Sequence, residues 1–83
     1  MKVTVKYFAS IRETIGVSSE SVQTTALTLA ALRDQLIATG GGHADSLARE
    51  RPLRMALNQL MSDESAALSE GAEVAFFPPV TGG

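Results

Sequence analysis

Apolar and polar residues alternate from the start of the chain, with Val3, Val5 and Tyr7 set between Lys2, Thr4 and Lys6. A period of two predicts a half-buried strand with the odd positions inward. The same period puts Phe8 on the outer face. Ser10-Ile11-Arg12-Glu13 fits a capping box and predicts a short helix ending near Gly16. Val17 to Thr25 is polar and β-branched. It predicts a second strand at a sheet edge, antiparallel to the first, whose polarity discourages edge-to-edge association. From Thr28, a good N-cap, the period changes. Leu29, Leu32 and Leu36, with Ile37 beside them, form one apolar stripe of a helix running to about Thr39. Arg33, Asp34 and Gln35 are expected off that stripe. Gly40 is expected to end the helix, with Gly41 and Gly42 extending a loop. A short helix is expected over Ala44 to Glu50, before Pro52. Leu53, Met55 and Leu57 alternate with Arg54 and Ala56 and predict a third strand. Asn58-Gln59 reads as a turn, Leu60-Met61 as a brief return, Ser69-Glu70-Gly71-Ala72 as a second turn, and Glu73 to Phe77 as the last strand.

These elements predict an α+β chain: a mixed sheet packed on one main amphipathic helix, with the last strand parallel to the first. At 83 residues it is expected to be a single domain over 1–83, with 78–83 as an extended C-terminal tail. A chain of this size builds one modest core.

The end of the chain, Phe76-Phe77-Pro78-Pro79-Val80-Thr81-Gly82-Gly83, is its most specific stretch. Pro78 and Pro79 donate no ladder hydrogen bonds, so pairing is expected to stop there. Their fixed φ favours a stiff, extended exit. Val80 to Gly83 adds a reach of up to roughly 13 Å. Gly82 and Gly83 carry no side chain, so the last peptides suit a narrow channel. Such a channel would receive the α-carboxylate of Gly83. Val74 and Phe76 facing the core would leave Phe77 on the opposite face with Phe8, and the two are expected to form a partner-binding patch.

Composition removes whole classes of chemistry. There is no Cys, so disulfides, thiolate metal sites and a cysteine nucleophile are excluded. The net charge of −2 argues against nucleic acid. No apolar run is long enough to span a membrane, and the alternating start is not a signal peptide. A cytoplasmic location is expected. His43, the one histidine, is expected to be a solvated loop residue, and no metal-ligand spacing is visible. Gly40-Gly41-Gly42 follows a helix and lacks the Lys-Ser/Thr of a phosphate loop. The acidic pairs Asp63-Glu64 and Glu70 to Glu73, and Arg49-Glu50-Arg51, read as solvated surface. Met55 and Met61 read as core or rim fillers.

Tyr7-Phe8-Ala9-Ser10-Ile11-Arg12-Glu13, Ala56-Leu57-Asn58-Gln59 and Gly71 to Gly83 together resemble the molybdopterin synthase small subunits, the MoaD-like sulfur carriers of the ubiquitin-like β-grasp superfamily. The likeness covers the whole length. It departs at Glu70 and Ala72, where the family usually carries Asp, and neither touches the tail. The resemblance implies a β-grasp fold and a carrier rather than a self-sufficient enzyme. A ubiquitin-E1-like adenylating enzyme would use ATP to activate the Gly83 carboxylate, and a sulfur donor enzyme would convert it to a thiocarboxylate. The tail, Pro78 to Gly82 behind Gly83, would then enter the synthase large subunit, which carries the active site. There sulfur would pass in two rounds to cyclic pyranopterin monophosphate. The implied assembly is a heterotetramer of two large and two small subunits, and the chain itself would bind no cofactor. A sulfur carrier for thiamine or another pathway, a ubiquitin-like modifier joined to lysines through Gly83, and an interaction domain without tail chemistry stand as alternatives.

Overall fold

The computed structural model describes residues 1–79. Its elements are β1 (Lys2–Tyr7), α1 (Ala9–Ile15), β2 (Ser19–Gln23), α2 (Leu29–Ala38), α3 (Gly41–Leu47), β3 (Arg54–Leu57), β4 (Leu60–Ser62) and β5 (Glu73–Phe77). The strands form one sheet in the order β2-β1-β5-β3-β4. β2 lies antiparallel to β1 at the edge, as its polar pattern predicts. β5 inserts between β1, to which it is parallel, and β3, to which it is antiparallel. This is the β-grasp arrangement, an α+β fold. The period of two in β1 is decisive: Val3, Val5 and Tyr7 are buried and Lys2 and Thr4 exposed. Across the ladder, Val74 and Phe76 of β5 join the same core. Leu29, Leu32 and Leu36 of α2, Ile11 of α1 and Leu47 of α3 complete it, so all three helices pack on one face of the sheet.

The helix boundaries divide into those that local chemistry sets and those that packing sets. Thr28 caps α2, its hydroxyl accepting from the Ala31 N–H at 3.2 Å. Gly16 ends α1 in the left-handed region, φ 95°, where Gly carries no Cβ penalty. The capping box at Ser10 does not form. The cap falls two residues earlier, on Phe8, with Ala9 the first helical residue, and the Phe8 carbonyl accepts from the N–H groups of Ile11 and Arg12 at 3.1 and 3.3 Å. Ser10 therefore lies inside the first turn rather than before it.

The loop expected over Gly41 and Gly42 is instead the start of α3, which ends at Leu47 and not at Glu50. Packing overrides helix propensity here. A Cβ built on Gly42 would stand 2.4 Å from the Thr14 carbonyl oxygen and 2.9 Å from Ile15 Cα, so the α3 backbone lies directly on α1. Gly42→Ala is expected to cost about 2–3 kcal/mol, the upper part of the overpacking range. Urea unfolding measures it, and a cost under about 1 kcal/mol would mean that the two helices separate freely.

Arg33 is the larger departure. It is 4 % exposed, not off the apolar stripe. Four residues after Leu29, it shares that residue's helix face. Its Nε donates to the Leu47 carbonyl at 2.7 Å, and Nη2 donates to the carbonyls of Ala48 and Arg51 at 2.7 and 3.1 Å. Nη1 pairs with Glu64 at 2.9 Å. One guanidinium thus caps the C-terminal end of α3 and ties it to the segment after β4. Nor are Asp63-Glu64 and Arg49-Glu50-Arg51 independent solvated patches, since Arg49 bridges Asp34 and Glu64 at 2.8 Å each.

Candidate functional site

The side of the sheet away from the helices carries the features that the tail makes interesting. Phe8 follows β1, and its N–H donates to the Phe76 carbonyl at 3.2 Å, extending the β1–β5 ladder by one step. Ala9 then adopts φ 52°, uncommon for a residue with a Cβ, and turns the chain into α1. Phe8 is left 45 % exposed, its ring edge-on to Phe77 at 6.3 Å and 89°. The expected pair is therefore real as geometry. Phe8, Phe77, Ala75, Glu73 and Gln59 line one shallow hollow. The apolar character continues across the register Ala75–Ala56–Met61 to the exposed Met61. Met55 fills the core, whereas Met61 stands on this open face. One ion pair crosses the surface, Lys6 Nζ to Glu73 at 3.5 Å.

Pro78 and Pro79 are half-buried and continue directly from β5. They form one wall of a cleft of about 250 Å³ whose other walls come from α1, α3 and the segment before β3, including Ser10, Asp45 and Arg51. The tail root thus leaves the domain between the open sheet face and this cleft. Val80, Thr81, Gly82 and Gly83 lie outside the described residues.

His43 is placed by α3, not by a loop, and it is not simply solvated. Its Nε2 lies 2.6 Å from Glu20 Oε2, which also accepts from the Tyr7 hydroxyl at 2.6 Å. The His43 ring stands edge-on to Tyr7 at 5.8 Å. Burial pushes the Glu20 carboxyl up. The hydrogen bonds from Tyr7 and His43, with the attraction of His43, outweigh that and hold it below its ordinary value. Burial, then the hydrogen bond to Glu20 and its charge, push the Tyr7 phenol up. The three groups tie α3 to β1 and β2. Periodicity could not find this cluster, because its members come from three separate elements. Among the described residues, no group of three or more His, Asp or Glu side chains is placed to hold a metal ion. No described helix is long and apolar enough to cross a membrane.

Residues 5–83 match the model of the ThiS family. The chain is 39% identical over 79 residues to the molybdopterin synthase sulfur carrier subunit of Haemophilus influenzae, covering 95% of this chain and 96% of that one. It is 38% identical over 81 residues to the subunit of the same name from Escherichia coli, covering 98% and 99%. A chain in the protein–protein complex of subunits 1 and 2 of molybdopterin-converting factor from Helicobacter pylori superposes with a TM-score of 0.70 at 28% identity, over the full length of both. Matched over residues 5–83, the chain belongs to the ThiS family.

Proposed function

We propose that this chain is the sulfur carrier subunit of a molybdopterin synthase, and that its working group is the α-carboxylate of Gly83. The observation that carries this reading is the near-full-length likeness to two sulfur carrier subunits, beside a family match that reaches Gly83. The chemistry follows from what the residues lack. No cysteine is present to hold transferable sulfur. A carboxylate becomes an acyl donor only when one oxygen is made a good leaving group. Attack of the Gly83 carboxylate on the α-phosphorus of ATP, in an E1-like adenylating enzyme, releases pyrophosphate and gives the acyl adenylate. Hydrosulfide supplied by a donor enzyme then attacks the acyl carbon, displaces AMP and leaves the thiocarboxylate. In the large subunit the thiocarboxylate sulfur bonds to cyclic pyranopterin monophosphate, and water then cleaves the acyl–sulfur bond, leaving the sulfur on the pterin and restoring the Gly83 carboxylate.

In this scheme the domain positions and the partners catalyse. The Phe8–Phe77 face docks the large subunit; that a similar chain of Helicobacter pylori forms a complex with subunit 2 of molybdopterin-converting factor supports such a partner. Pro78 and Pro79 hold the exit direction, and Val80, Thr81 and Gly82 fill the channel ahead of Gly83. The chain itself binds no cofactor, acts in the cytoplasm beside its ATP-dependent partner, and assembles as two small with two large subunits.

Intact-mass spectrometry tests the proposal. Incubation with the adenylating enzyme, ATP and a sulfur source is expected to exchange one oxygen for sulfur, localised to the C-terminal peptide. An unchanged mass with an enzyme competent on a second carrier would overturn the reading. Lysine-linked conjugates in its place would favour a protein modifier.

A further inference from the structure

The turn between β3 and β4 holds two residues with a side chain in the left-handed region. Asn58 has φ 50° and Gln59 φ 71°. A two-residue hairpin of this kind needs positive φ at both positions and strongly prefers Asn-Gly. Asn58 fits, because Asn tolerates the left-handed region and its Oδ1 accepts from the Glu73 N–H at 3.0 Å. The Asn58 N–H donates back to the Glu73 carbonyl at 2.8 Å, clamping the turn to the start of β5. Gln59 has no such reason. It stands where glycine is favoured, and its side chain is exposed. Residues held in such sparsely populated backbone regions cluster at functional sites. Gln59 also lines the hollow with Phe8, Ala75 and Phe77.

We propose that Gln59 is a partner-contacting residue, kept in a left-handed conformation so that its carboxamide meets a peptide group of the large subunit beside the Phe8–Phe77 hollow. This rests on that face being the docking face. The hollow offers an apolar floor for one side chain of an extended partner segment. A carboxamide holds one carbonyl acceptor and two N–H donors, which match the N–H and C=O of the peptide group flanking that side chain. The clamp through Asn58 and Glu73 fixes the turn relative to Ala75 and Phe77, so the carboxamide is presented from a rigid base.

The test measures folding and binding on the same variants, with the large subunit titrated calorimetrically. Gln59→Gly removes both the strain and the carboxamide. It is expected to leave the thermal midpoint equal or higher and to weaken binding about tenfold, the scale of one or two neutral hydrogen bonds. Gln59→Asn keeps a residue tolerant of positive φ but shortens the carboxamide, and is expected to move both readings in the same directions. Wild-type affinity in both variants overturns the proposal, and so does a midpoint that falls in step with affinity. Phe77→Ala separates this from the docking reading and is expected to weaken binding about thirtyfold, as a buried aromatic anchor does. If Phe77→Ala binds weakly while both Gln59 variants bind normally, only the Gln59 assignment fails. If Phe77→Ala binds as wild type does, the docking face itself is wrong.

Discussion

A chain lacking Gly83 is expected to fold as the full chain does and to deliver no sulfur to the pterin precursor. The folding half rests on where the core lies. Every residue of the hydrophobic cluster falls at or before Phe76, so the deletion removes no described core contact. Thermal unfolding should therefore be unchanged. The loss of function rests on geometry. The shortened chain still ends in glycine, but its carboxylate is withdrawn by roughly 3.5 Å. A misplacement of about 1 Å can cost about a hundredfold in an oriented reaction. Loss of about a thousandfold or more in molybdopterin formation is accordingly expected. The measurement pairs a melting curve with an in vitro synthase assay supplied with the adenylating enzyme. A cooperative loss of folding would contradict the separation of tail from core. Retained activity would mean that the position of the terminal carboxylate is not what the partners read.

Arg33→Met is expected to cost about 3 kcal/mol of stability, with little direct effect on docking. Methionine keeps much of the apolar stem but removes all of the donors. The carbonyls of Leu47, Ala48 and Arg51 would lose the guanidinium, and two of them close the end of α3. An unpaired buried acceptor costs about 1–3 kcal/mol. Glu64 contributes less to the loss, because it is partly solvated and keeps Arg49 as a partner. Arg33→Lys should recover only part, since an ammonium cannot reproduce the planar fork that reaches three carbonyls and a carboxylate. Urea unfolding with an unchanged slope is the measurement. A cost under about 1 kcal/mol would show that water replaces the guanidinium at little expense.

Where one period governs one element, the fold could be read directly. The alternation of Val3, Val5 and Tyr7 gave the buried face of β1, and Thr28 with the leucines after it gave the cap and core side of α2. The parallel placement of β5 beside β1 followed from element order and was correct. Sequence reasoning failed where two elements meet. Gly40-Gly41-Gly42 looks like a loop because three glycines disfavour a helix locally. The close approach of Gly42 to Thr14 is a long-range fact that no window over those residues contains. Arg33 carries a charge, and charge alone suggested solvent, although its spacing from Leu29 already placed it inward. His43 was judged alone, and its partners Glu20 and Tyr7 are more than twenty residues away. At the candidate site, Phe8 and Phe77 were legible because strand alternation fixes which way each points. Gln59 was not, because its significance lies in a backbone angle.

The placement of β5 has a consequence for biosynthesis. It is the last described strand to leave the ribosome, yet it lies in the middle of the sheet. Until it inserts, the β1–β2 hairpin and the β3–β4 hairpin have no strand to join them. Ala75 and Phe77 belong to that late strand, so a nascent polypeptide, or one truncated before β5, cannot display the open face. An enzyme that recognises this face would ignore unfinished translation products, and activation would be confined to chains whose folding is complete.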